Sequence, residues 1–100
     1  MQRYINQYNT KVSEFNEARK KLEQLREEYN EMVSRMAEET NSMYQTRYSG
    51  GNTQWQEQRI EELKRRLEQK QRELQEQQRK LEEQGQELHK LDALIEEMRR

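Results

Sequence analysis

Apolar residues recur along the second half of the chain in steps of three and four. Ile60, Leu67, Leu74, Leu81, Leu88 and Ile95 fall seven apart and form the first column of a heptad repeat. Leu63, Lys70, Gln77, Gln84, Leu91 and Met98 form the second column. This spacing puts both columns on one face of a helix, and its persistence predicts a coiled coil. The three polar residues in the middle of the second column make the centre of that seam thin. The first half is less regular. Ile5, Tyr8, Val12, Phe15, Ala18, Leu22, Leu25, Tyr29, Met32 and Met36 also step by three and four, but two threes follow one another around Phe15. Such a shift is a stammer, which overwinds a coiled coil locally. From Phe15 on, the columns are Phe15, Leu22, Tyr29, Met36 and Met43 beside Ala18, Leu25, Met32 and Glu39.

The pattern breaks between the two arms. Residues 40–54 are rich in Thr, Ser, Asn and Gly, and Gly50-Gly51 would cost a helix about 1 kcal/mol per glycine relative to alanine. Thr53-Gln54-Trp55-Gln56 has the spacing of a capping box, which starts a helix. The sequence therefore predicts a first helix over 1–44, a loop over 45–53 and a second helix over 54–100. Gly85 interrupts helix propensity in the second arm, at a position flanking the seam.

Flanking charges discriminate between pairings. A parallel homodimer of the second arm sets Arg59 against Lys64 and Glu87 against Asp92 of the other copy, with no attractive pair. An antiparallel hairpin in which paired core numbers add to 99 gives Arg35–Arg66, Glu28–Glu73, Lys21–Lys80 and Glu14–Glu87, all repulsive. Shifted by one heptad, to 106, it gives Arg35–Glu73, Glu28–Lys80 and Lys21–Glu87, all attractive. Exposed pairs are weak singly but select register. The expected fold is all-α: an antiparallel two-helix coiled-coil hairpin in the shifted register. The alternative is an extended coiled-coil dimer with a break at Gly50-Gly51. An antiparallel pairing of the second arm with another copy, through Arg66–Glu87 and Glu73–Lys80, also passes the charge test. A two-helix hairpin buries little surface, so self-association or a partner is expected.

Composition agrees with this reading. Charged residues make up 39% of the 100 positions, hydrophobic residues only 29%, and proline and cysteine are absent. The 19 basic and 20 acidic residues nearly cancel, which suits a solvated helix rather than a disordered chain. Pairs such as Glu31–Arg35 and Glu62–Arg66 support helix on the outer face. Without cysteine there is no thiolate metal site, and His89, the single histidine, falls on the outer face. No metal, cofactor or catalytic residue is expected. Acidic pairs such as Glu27–Glu28 and Glu82–Glu83 lack the desolvated cleft that catalysis needs. The basic runs Arg19-Lys20-Lys21 and Lys64-Arg65-Arg66 are bracketed by glutamates, so no nucleic-acid partner is expected. No apolar run is long enough for a membrane span or a signal peptide, and the cytoplasm is the expected location.

The expected seam residues are Phe15, Leu22, Leu25, Tyr29, Met32, Met36, Ile60, Leu63, Leu67, Leu74, Leu81, Leu88, Leu91 and Ile95. Tyr44, Tyr48 and Trp55 gather near the loop without a seam role, which makes them candidate partner contacts, since Tyr and Trp anchor interfaces. In its heptads the chain resembles the rod segments of cytoskeletal, centrosomal, tethering and adaptor proteins. Its run to Arg99-Arg100 without a capping signal is what a piece of a longer rod would show. The expected function is that of a non-enzymatic structural or scaffold protein that oligomerises or docks a helical segment of another protein. The alternative is a regulatory module whose hairpin tip engages a partner enzyme or complex.

Overall fold

The computed structural model describes residues 2–100. Two helices account for nearly all of them: α1, Gln2–Tyr48, and α2, Gln54–Arg99. The fold is all-α, a helical hairpin. It divides into two compact units, one built from Met1–Gln24 with Gln75–Arg100 and the other from Leu25–Leu74.

The second unit contains the turn, and local chemistry explains it. Gly50 has φ of 81°, a left-handed conformation that closes a helix at little cost only in glycine. Its N–H donates to the Arg47 carbonyl at 3.0 Å, and the Gly51 N–H donates to the Thr46 carbonyl at 2.9 Å. These two bonds are the Schellman arrangement that satisfies the last carbonyls of a helix. Gly51 is needed for a different reason: a Cβ there would lie 2.8 Å from Thr46 Cγ2 and 3.2 Å from its carbonyl oxygen. The Asn52 side chain then accepts the Gln54 N–H at 3.0 Å, and the Thr53 carbonyl accepts the Glu57 N–H at 2.8 Å, which starts α2.

Two details of the turn differ from expectation. The loop is 49–53, because α1 continues through 45–48. The hydroxyls of Thr40, Thr46 and Ser49 each donate to the carbonyl four residues back, so poor helix formers are accommodated without stranding a polar group. The Gln56 amide also leaves its expected capping role. Its Nε2 donates across the hairpin to Thr46 Oγ1 at 3.3 Å and Ser42 Oγ at 3.4 Å.

The register differs from the charge-based expectation as well. Glu28 meets Lys70 and Glu39 meets Arg59, partners whose numbers add to 98, within the second unit. In the first unit Lys11 meets Glu87, again adding to 98. Pairing is antiparallel in each unit, but Glu28–Lys80 and Lys21–Glu87 do not form. The turn accounts for this. The Schellman closure and Gln56 fix which residues face each other, and exposed pairs worth about 0–1 kcal/mol do not override a covalent loop with satisfied caps. The feared repulsions are also relieved locally. Arg66 bonds Glu62 at 2.6 Å and Arg35 approaches Glu31 to 3.9 Å, each on its own helix. Glu28 finds its cation at a seam position rather than at a flanking one.

The heptad columns themselves face inward. Leu22, Met43, Leu63 and Ile95 are the buried hydrophobics among the described residues. Phe15, Ala18, Leu25, Tyr29, Met32, Met36, Ile60, Leu67, Leu74, Leu81, Leu88 and Leu91 are partly buried, as are Lys70, Gln77 and Gln84. Met98, at the end of its column, is exposed.

Candidate functional site

The aromatic residues near the turn belong to the second unit and separate by their partners. Tyr44 stands beside Arg47, whose guanidinium carbon is 5.9 Å from the ring centre. Arg47 also bonds the Glu57 carboxylate and approaches the Met43 sulfur at 3.8 Å. Trp55 stands beside Arg59, 5.4 Å from the ring centre, and Arg59 Nε is 2.9 Å from Glu39. Each stack is a cation on an aromatic face, worth about 0.5–1 kcal/mol where exposed. Carboxylates from the opposite helix hold both arginines in place. Tyr44 and Trp55 therefore share no partner, and the expected aromatic group is two stacks rather than one patch.

Each aromatic remains open to solvent. Trp55 is 66% exposed and Tyr48 is 96% exposed, the latter on the last turn of α1 just before the glycines. Trp55, Arg59, Leu63, Arg35 and Arg66 line a shallow groove of about 370 Å³. The groove offers an indole edge, three methylene-rich arginine stems and an aliphatic floor. Chemically it can hold a side chain that stacks and accepts hydrogen bonds.

The acidic and basic runs have ordinary partners. Glu28 is engaged by Lys70, and Glu83 by Arg79 at 2.7 Å. Arg79 also bonds Glu76 at 2.7 Å. That hydrogen bond, with the arginine's charge, holds the Glu76 carboxyl below the usual carboxylate range on an open helix face. The same partner raises the Arg79 guanidinium above its ordinary value. Residues 19–21, residues 64–66 and His89 are exposed.

Sequence reasoning missed three contributors. Lys11 reaches Glu87 at 3.1 Å, and the signal for it is that continuing the repeat backwards from Phe15 puts position 11 in the second column. Glu39 falls in a core column of the repeat, whose spacing alone does not show that it anchors Arg59. Gln56 has a position in the second column one heptad before Leu63, which the repeat itself points to.

No protein-family model, curated protein or solved structure matches this chain. Among the described residues no helix is long and apolar enough to cross a membrane.

Proposed function

We propose that this chain is a non-enzymatic structural and interaction protein, a coiled-coil hairpin that oligomerises or docks a helical segment of another protein, in the manner of rod or adaptor segments in the cytoplasm. The observation that carries the reading is the half-open seam. Outside Leu22, Met43, Leu63 and Ile95, the apolar seam residues keep part of their surface in water. Two helices give each seam a single neighbour, and a third or fourth helix would cover what remains. Sedimentation equilibrium of the full chain tests this, with helix content followed alongside. The expected result is a mass that rises with concentration toward a multiple of 12.5 kDa. A helical monomer at every concentration, with a melting temperature independent of concentration, would overturn the self-association form of the proposal.

A second reading rests on the turn. Tyr48 and Trp55 are exposed beside a rigid Schellman closure, which suits a regulatory tip that inserts aromatics into a partner. Tyr48→Ala and Trp55→Ala separate the two readings. They leave the mass unchanged if the seam carries association and abolish capture of a partner if the tip does.

A further inference from the structure

The register gathers like charges in a regular way. Each of the ion pairs Lys11–Glu87, Glu39–Arg59 and Glu28–Lys70 joins a second-column residue to the residue just before a first-column one. Core partners therefore add to 99, and flanking residues face others of their own sign. In the unit Leu25–Leu74, Arg35 stands beside Arg66 and, one heptad away, Glu28 beside Glu73. Arg35 and Arg66 share the groove that Trp55 lines and a second one, of about 350 Å³, with Met32, Leu63 and Glu73. In the other unit, Lys21 stands beside Lys80 and, one heptad away, Glu14 beside Glu87. All of these are exposed except Glu28, which is partly so. Lys70 and Lys11 answer one glutamate of each anionic pair. Glu14, Lys21, Glu73 and Lys80 make no ion pair among the described residues.

The order of signs points to what answers them. From Glu14 to Arg35 the flank of α1 reads anion, cation, anion, cation, and from Arg66 to Glu87 the flank of α2 reads cation, anion, cation, anion. Laid antiparallel on a second copy, Arg35 meets Glu14, Glu28 meets Lys21, Arg66 meets Glu87 and Glu73 meets Lys80. Reversal alone does not secure this, since a flank reading cation, anion, anion, cation would meet its own sign throughout. Both helices are satisfied in one and the same register, because each layer carries one sign on both. Successive layers lie about 10 Å apart, about a Debye length at 0.1 M salt, so facing charges outweigh their neighbours. A parallel arrangement needs a stagger of one heptad, which leaves a layer unanswered at each end, whereas the antiparallel one closes with two-fold symmetry. We infer that two copies associate through these flanks, α1 against α1 and α2 against α2 in antiparallel order. The unit Leu25–Leu74 of each copy then meets the other unit of the second copy. This rests on the self-association reading above and gives it a surface and an orientation.

Glu73→Lys and Lys80→Glu change residues that have no ion pair, and each turns a like-charged pair inside the hairpin into an opposite one. Each variant alone is expected to keep its helix content and melt no lower as a monomer, yet to associate at least about tenfold more weakly at low salt. An equimolar mixture of the two is expected to regain association as a heterodimer. Association of the unaltered chain is expected to weaken as salt rises. Orientation is read from a spin label on Tyr48→Cys, the single thiol in the chain. Antiparallel copies set the two labels about 70 Å apart, whereas a parallel stagger sets them within about 20 Å. If the unaltered chain self-associates but neither salt nor the single variants weaken it, the flanks are not the contact, although self-association stands. Weakened variants that do not rescue each other overturn the pairing of Glu73 with Lys80. Labels close together overturn the antiparallel order. An unaltered chain that is monomeric throughout overturns the inference together with the reading beneath it.

Discussion

Lys70 and Gln84 occupy the same heptad column, yet their surroundings differ in kind. Lys70, in the unit Leu25–Leu74, extends out of the seam to Glu28 at 2.5 Å. Its stem covers apolar surface and its charge stays at the edge. Gln84, in the unit that pairs Met1–Gln24 with Gln75–Arg100, keeps its Oε1 buried without a hydrogen-bond partner. Beside it Gly85 leaves room for Phe15, whose ring edge would lie 3.5 Å from an added Cβ. A polar residue at a core position is therefore not one feature with one cost. A long cation can reach an edge anion, whereas a short amide must be satisfied where it stands.

The largest effects should come from the apolar layers that both units possess. Leu22 in one unit and Leu63 in the other are buried. Replacing either with alanine should destabilise by about 2–5 kcal/mol, through lost transfer energy and the cavity left behind. Urea unfolding measures both. Losses of similar size would mean that each unit has a sealed layer despite its different polar positions. A loss below about 1 kcal/mol at either site would mean that the layer in that unit is open to water.

Next come the polar positions themselves. Gln84→Leu removes a buried acceptor without a partner and adds apolar area, so it should stabilise by about 1–3 kcal/mol. Lys70→Leu gains apolar area too, but it frees Glu28 and gives up the stem already packed there. Its gain should be clearly smaller than that of Gln84→Leu. Thermal unfolding of the two variants side by side decides the matter. Equal gains would erase the distinction between the two positions.

These positions also mark what the sequence could and could not reveal. Periodicity placed Ile60 through Ile95 and Phe15 through Met43 on the inward face because it depends only on helix geometry. Gly50-Gly51 announced the reversal because few other residues adopt the required backbone. The register was a different kind of problem. Flanking charges are worth only tenths of a kcal/mol each, whereas the turn fixes the register through Thr46, Gly50, Gly51 and Gln56. Long side chains added to the difficulty. Lys70 reaches Glu28, which a strict pairing of flanking positions assigns to Lys80, and Arg59 reaches Glu39, which the repeat puts in a core column. The aromatic group was legible as residues without a seam role, but not as two separate stacks, because Arg47 and Arg59 choose their rings in three dimensions.

The glycines offer a sharper contrast of moderate size. Gly85 lies within regular helix with space for a methyl group, so Gly85→Ala should stabilise by about 0.5–1 kcal/mol. Gly50 has positive φ, so Gly50→Ala should destabilise by about 1 kcal/mol although nothing stands in its way. Opposite signs in a melting experiment would establish that one glycine is dispensable and the other builds the turn. A loss at Gly85 would instead show that the Phe15 ring cannot yield.

The smallest effect tests the register. Glu28 faces Lys70, and both side chains are partly exposed, so their coupling should be about 0.2–1 kcal/mol and should fall with added salt. A double-mutant cycle with Glu28→Gln and Lys70→Gln isolates that coupling from the separate effects of each change. The same cycle between Glu28 and Lys80 provides the control. Lys80 would be the partner one heptad away, and its coupling to Glu28 should be indistinguishable from zero. Coupling at Lys80 and none at Lys70 would restore the shifted register and remove the turn as its determinant. The ordering of the two cycles matters more than either value, because context changes both magnitudes but not which lysine lies beside Glu28.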